Sequence, residues 1–327
     1  MQYRNLGKSG FKVSEIGVGC WQLGGDFGAM QAERAEAVLK QADACSINFW
    51  DTADVYGAGL SEQRIASHCT NYPCKQRIIA TKVGRDSRLY PDNYSKAAIK
   101  ANIEASLQRL KLESLPLIQL HCLPEPVLKA GDVLAYMEDF QQQGLIQHFG
   151  VSVETLDEAL FAVKHPKLSS IQTIFNLFRQ DHSSELFPEA QANNVGIIVR
   201  LPLASGVLAG KMKKDQVFSE QDHRNYNKDG EFFSVGETFS GVPFELAVEL
   251  AEELKLLVPE GMSPAQMAMR WILDHAAVSS VITGASTAEQ VKENASVSAL
   301  KPLDKALHQK LSDFYFDKVK QHIRGVM

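Results

Sequence analysis

No run of eighteen apolar residues occurs in the 327-residue chain, so no membrane-spanning helix is expected. Met1 is followed by QYRNLGKSGFK, which lacks the apolar stretch of a secretory leader. No block of basic residues stands out, and the net charge is −5 with a pI near 6.0. That balance argues against nucleic acid or an anionic membrane as the main partner. The five cysteines (Cys20, Cys45, Cys69, Cys74 and Cys122) are odd in number, scattered, and form no C-x-x-C pair. Free thiols in a reducing cytoplasm are expected, without disulfides and without a metal centre. Low-complexity segments and breaks in composition are also missing, so residues 1–327 are expected to form a single domain. The dinucleotide fingerprint G-x-G-x-x-G is absent too, because GVGCWQ after the first long apolar run does not match it.

What is present is alternation. The opening QYRNLGKSGFKVSEI places a glycine-containing turn between two short extended runs, which predicts a hairpin. Eight short β-prone runs follow: IGVG near 16, INFWDT near 47, RIIATKV near 77, LPLIQLH near 115, IQHFGVSV near 146, SIQTIFN near 170, GIIVRLPL near 196 and VSSVITG near 278. Helical patterns separate them. In SKAAIKANIEASLQRLK, Ile99, Ile103, Leu107 and Leu110 recur every three or four residues and make one apolar stripe. Short apolar strands between amphipathic helices predict an all-parallel sheet buried on both faces. Eight such units predict a closed (β/α)8 barrel, and an apolar content of 45% suits its large core. The stretch from Lys211 to Val242, after the seventh run, is polar and aperiodic. A loop that long in a compact domain is expected to be functional, here lying over the active face, with His223 or Arg224 as clasp residues.

Polar residues end the strands. Asp51 ends the second run, Lys82 the third, His121 the fourth and Ser152 the fifth, with Tyr56 five residues past Asp51 in FWDTADVYGAG. Read alone, that stretch also suits a strand end capped by an aspartate and covered by a tyrosine. In a barrel, however, chemistry gathers at the carboxyl ends of the strands, so all of these groups would share one mouth. A free phenol has a pKa of about 10, and a neighbouring ammonium is expected to lower it while a buried carboxylate keeps the lysine charged. Histidine can orient a carbonyl oxygen or relay a proton. Together the four make a general acid for an oxygen that becomes an alcohol. None of them donates hydride, so such a reduction calls for a nicotinamide cofactor. A barrel lyase with Lys82 as a Schiff base is the alternative from another reaction class, and it leaves Tyr56 without a task.

FWDTADVYGAGLSE, IIATKVG, LIQLH, HFGVS, PLASGVLAGK and ITGASTAEQVKEN, in that order, resemble the motifs of the aldo-keto reductases. The resemblance runs from the hairpin to about residue 300. It implies a TIM barrel and a catalytic tetrad of Asp51, Tyr56, Lys82 and His121, with Tyr56 as proton donor. It implies that Ser152 and Gln172 hold the nicotinamide carboxamide and that Cys20 and Trp21 lie beside cofactor and substrate. Leu203, Gly206 and Lys211 would wrap the pyrophosphate, and Ser286, Gln290, Glu293 and Asn294 would meet the adenosine. Arg200 stands where many members stack an aromatic on the nicotinamide, as in one branch of the family. Val153 replaces a polar residue found there in many members. NADPH is expected to be preferred and NADH usable: many members have Lys and Arg where this chain has Gly284 and Gln290, and Ser286 and Gln290 are left as neutral donors. The substrate would be a small carbonyl compound or alcohol, in a pocket lined by Trp21, Trp50, Tyr56, Tyr90 and Phe232. A monomer or small homo-oligomer in the cytoplasm is expected. The adenosine segment also resembles potassium-channel beta subunits, so a cofactor-binding regulatory subunit with little turnover is the second functional reading.

Overall fold

In the computed structural model, residues 1–25 and 27–326 are described. Ten strands follow in chain order: β1 Tyr3–Asn5, β2 Lys12–Ser14, β3 Ile16–Gly19, β4 Phe49–Asp51, β5 Ile78–Val83, β6 Leu115–His121, β7 Ile146–Ser152, β8 Ser170–Ile174, β9 Gly196–Arg200 and β10 Val278–Gly284. The hairpin is β1 against β2, antiparallel, with Tyr3 opposite Ser14. The other eight are all parallel and close on themselves, β10 pairing with both β9 and β3. The fold is the TIM barrel that the eight runs predict. Closure leaves no unpaired edge in the main sheet.

Helices return the chain between strands, and their stripes face the barrel. In Lys96–Leu110 the buried positions include Ile99, Ile103, Leu107 and Leu110, and Ser95 caps the start by accepting from the Ala98 amide. Among the described residues no helix is long and apolar enough to cross a membrane.

Side chains alternate across each strand. In β4, Phe49 points into the barrel, Trp50 out to the helices, and Asp51 in again, one layer higher. Phe49, Ala80, Leu117, Ile198 and Ile282 fill the lower interior, and Leu6 and Val13 from the hairpin region close it beneath. Trp50 is therefore no part of a pocket. It is fully buried among the outer residues, with its indole N–H on the Ile47 carbonyl, the Arg77 guanidinium over its ring and the His68 ring tilted beside it. The expected lining role of Trp50 fails because one residue along a strand reverses the face.

Two local constraints fix the loop that follows β4. Gly57, at φ +59°, lies so close to the loop after β3 that a Cβ would come 2.3 Å from the Gly24 carbonyl oxygen. Beyond it, the helix Leu60–Asn71 is pinned by Glu62, which is fully buried. Thr81, pointing outward from β5, donates to Glu62 Oε1 at 2.6 Å, and Arg109 Nε donates to Oε2 at 2.6 Å.

Removing one partner of a buried pair costs about 3–5 kcal/mol, because the other charge is left uncompensated. Arg109→Met should therefore lower urea-unfolding stability by about that amount, and adding Glu62→Gln to it should restore most of the loss.

Candidate active site

A cavity of about 960 Å³ opens at the carboxyl ends of the barrel strands. Asp51, Tyr56, His121, Ser152 and Gln172 line its deep end, and Ser286, Gln290, Glu293 and Asn294 line the far end. Trp21, Arg200, Leu203, Gly206 and Lys211 line the wall between. The structure thus brings fourteen of the sixteen expected residues to one cavity. The two that do not line it are Lys82, which lies directly behind the wall, and Cys20. The Cys20 side chain is fully buried, its thiol nearest the Val18 carbonyl, because it points into the layer under the helices. The sequence expectation for Cys20 survives only as a backbone position next to Trp21.

Lys82 is 1% exposed, and its ammonium has three neighbours. It donates to Asp51 Oδ2 at 2.6 Å, to the Thr52 carbonyl at 2.8 Å and to Tyr56 Oη at 3.1 Å. An ammonium has three N–H groups, so all are used. Burial opposes the charge, but the Asp51 carboxylate and the Tyr56 oxygen outweigh it and hold the amine above its ordinary value. The other Asp51 oxygen accepts from Gln172 Nε2 at 2.7 Å and Gln119 Nε2 at 3.4 Å. The carboxylate is thereby fixed from three strands.

Since Tyr56 Oη accepts from the ammonium, its own proton points elsewhere, and the open direction is the cavity. Burial pushes the phenol up to about 12, against the pull of Lys82. The lysine does pull it down as expected, but removal of water from around the phenol outweighs the cation and the net shift is upward. His121 stands edge-on to Tyr56, ring centres 6.2 Å apart. Burial and the cations Lys82, Arg85 and Arg200 hold its imidazole well below the usual range, so it is neutral. Among the described residues its Nδ1 is buried without a partner, which leaves Nε2 as the nitrogen for a ligand's oxygen.

Sequence reasoning missed a charged cluster one step farther along. Arg200 Nη1 pairs with Glu237 Oε1 at 2.5 Å, and its Nη2 donates to the Val153 carbonyl at 2.9 Å. Val153 thus contributes a backbone acceptor where a polar side chain was missing. Arg85 pairs with Glu154. The Cys122 thiol and the Glu154 and Glu237 carboxylates lie within 4.8 Å of one another. Burial pushes the thiol up, and burial together with Glu237 pushes Glu154 up. Arg85 and Glu154 follow Lys82 and Ser152 by three and two residues, so their place just past strand ends was a usable signal. Glu237 gave none, since it comes from the long loop.

That loop borders the cavity through Arg224, Tyr226, Phe232, Phe233 and Glu237. It contains a short helix, His223–Tyr226. His223 is buried, its ring 4.7 Å from Trp21 and 4.4 Å from Phe27, so it is an inner packing residue. Arg224 is the one of the two expected clasp residues on the wall, held by Asp222 at 2.6 Å.

Residues 15–315 match the model of the aldo/keto reductase family. An L-glyceraldehyde 3-phosphate reductase of Escherichia coli O157:H7 is 32% identical over 90% of this chain and 86% of that protein. A probable voltage-gated potassium channel subunit beta of Arabidopsis thaliana is 28% identical over 99% of this chain and 97% of its own length. Among solved structures, a glycerol dehydrogenase from Gluconobacter oxydans superposes with a TM-score of 0.79 at 25% identity, covering 99% and 98% of the two chains. The strand order, the cavity and the matched span lead to one conclusion: the chain belongs to the aldo/keto reductase family, a family of oxidoreductases.

Proposed function

We propose that the protein reduces a small aldehyde or ketone to an alcohol, or catalyses the reverse, with a nicotinamide dinucleotide along the cavity and NADPH preferred. The observation that carries this reading is the ammonium of Lys82, whose three bonds leave the Tyr56 proton directed at the cavity. The cofactor, when bound, supplies or accepts the hydride.

The residues present suit such a cofactor. Ser152 and Gln172 stand at the deep end, and Gln172 spends its N–H on Asp51, leaving its oxygen for a carboxamide. Gly206, at φ +97°, leaves the wall without a Cβ where the pyrophosphate would pass. Lys211 is exposed at the same wall and, among the described residues, has no carboxylate partner, so its charge is available.

Tyr56 donates its proton to the carbonyl oxygen, and Lys82 stabilises the phenolate left behind. Asp51 keeps Lys82 charged and in place. The neutral His121 donates from Nε2 and fixes the carbonyl oxygen within reach of the phenol. A charged amine with all three N–H groups bonded is no nucleophile, which speaks against a Schiff-base lyase. Trp21, Phe27, Tyr90 and Phe232 offer apolar faces at the mouth. With an L-glyceraldehyde 3-phosphate reductase and a glycerol dehydrogenase among the similar proteins, short hydroxylated carbonyl compounds are the first substrates to assay, in both directions. The likeness to a plant channel subunit supports the regulatory reading, and tight cofactor binding without turnover on that panel would favour it.

Tyr56→Phe should lower kcat by at least about 10²–10⁴-fold with cofactor Kd unchanged; near-normal turnover would remove Tyr56 from the reaction.

Because burial holds the phenol high, it is protonated throughout the neutral range. Reduction should be flat there and fall only in strong alkali, whereas oxidation, which needs the phenolate, should rise with pH. Lys82→Met should move the alkaline limb of reduction upward, and an unmoved limb would mean that Lys82 does not tune the acid.

The same substitution strands the Asp51 carboxylate, at a cost of about 3–5 kcal/mol. Calorimetry should show a lowered Tm that Asp51→Asn in the same chain largely recovers.

A further inference from the structure

Beside the far end of the cavity stands a cation that the segment Gly284–Asn294 does not place there. Arg34 belongs to the helix Ala32–Ala44, which packs against the helix Ala288–Ser296. Its Nε donates to the Ser286 carbonyl oxygen, and its Nη2 lies 3.4 Å from Ser286 Oγ. The side chain is exposed, and both of its bonds go to Ser286. Among the described residues it has no carboxylate within ion-pair distance, so its charge is unspent, and Nη1 has no partner.

Ser286 is held from the other side as well. Its N–H and its Oγ both reach Gln290 Oε1, at 2.7 and 3.2 Å. The serine hydroxyl donates to Gln290 and accepts from Arg34, so the three side chains form one row at the cavity edge. Ser286 and Gln290 line the cavity; the guanidinium sits one bond behind them.

We propose that Arg34 recognises the 2′-phosphate of NADPH and is the charge that sets the preference for it over NADH. The proposal rests on the dinucleotide reading above. Its physical reason is the local charge balance. Glu289 and Glu293 are exposed on the helix Ala288–Ser296, and Glu293 lines the cavity, so a dianionic phosphate there meets one carboxylate with a second on the same helix. Ser286 and Gln290 are neutral and do not offset them. Lys292 lies two residues from both Gln290 and Asn294, which puts it on the opposite face of the helix. Arg34, unlike Lys292, is bonded to the cavity-lining Ser286, and a guanidinium matches phosphate oxygens with paired donors. It was invisible in the sequence because it lies some 250 residues from the segment it serves.

The test is a fluorescence titration of the full chain with NADPH and with NADH, for wild type, Arg34→Met and Arg34→Lys. Arg34→Met should weaken NADPH at least about tenfold, about 1.4 kcal/mol, and leave NADH within about twofold. Arg34→Lys should restore part of the loss. Added salt should weaken NADPH binding to wild type more than to Arg34→Met, since a screened ion pair is lost. An NADPH/NADH affinity ratio unchanged by Arg34→Met, in a wild type that prefers NADPH, overturns the role of Arg34 alone. Equal weakening of both cofactors overturns it too, because that is the mark of a structural residue. A wild type that binds neither dinucleotide overturns the cofactor reading and this assignment together.

Discussion

A lysine ammonium cannot sit charged inside a protein unless every one of its N–H groups is met. At 1% exposure, Lys82 satisfies that demand with one carboxylate, one backbone carbonyl and one phenol oxygen. Much of the upper barrel follows from it. Asp51 must end β4 facing inward, Lys82 must lie on the neighbouring β5, and the loop after β4 must fold back to bring Tyr56 over both. Gln119 and Gln172, from β6 and β8, then satisfy the second oxygen of the carboxylate. The result is a polar layer on top of an apolar one.

The same demand explains why the loop around Tyr56 is so tightly specified. Gly57 and Gly24 let two loops touch, and the buried Glu62, held by Thr81 and Arg109, anchors the helix that follows. Thr81 and Lys82 are adjacent in β5 and face opposite ways. One residue grips the helix and the next grips the tyrosine, so a single strand sets both ends of the loop.

Much of this was legible in the sequence, for a physical reason. Parallel strands buried on both faces must be short apolar runs, and polar residues that end them stand out, as Asp51, Lys82, His121 and Ser152 do. What was not legible depended on phase, solvent or distance. Trp50 was misplaced because β4 is only three residues long, too short for alternation to be read securely. Cys20 was misplaced for the same kind of reason at the end of β3. The direction in which the Tyr56 phenol is shifted depends on how completely water is removed, and a motif carries no record of that. Glu237 and Arg34 reach the cavity from a long loop and a distant helix, where no local pattern announces them.

The plug of Phe49, Ala80, Leu117, Ile198 and Ile282, backed by the hairpin, makes the barrel a vessel with one opening. Traffic through a single opening is a stack: whatever seats deepest enters first and leaves last. The groups suited to a carboxamide lie on the floor of the cavity, and the aromatic faces ring its rim. Under the proposed reaction, an occupant of the floor would leave only after one at the rim, and release past the rim would then share control of turnover with the chemistry beneath it.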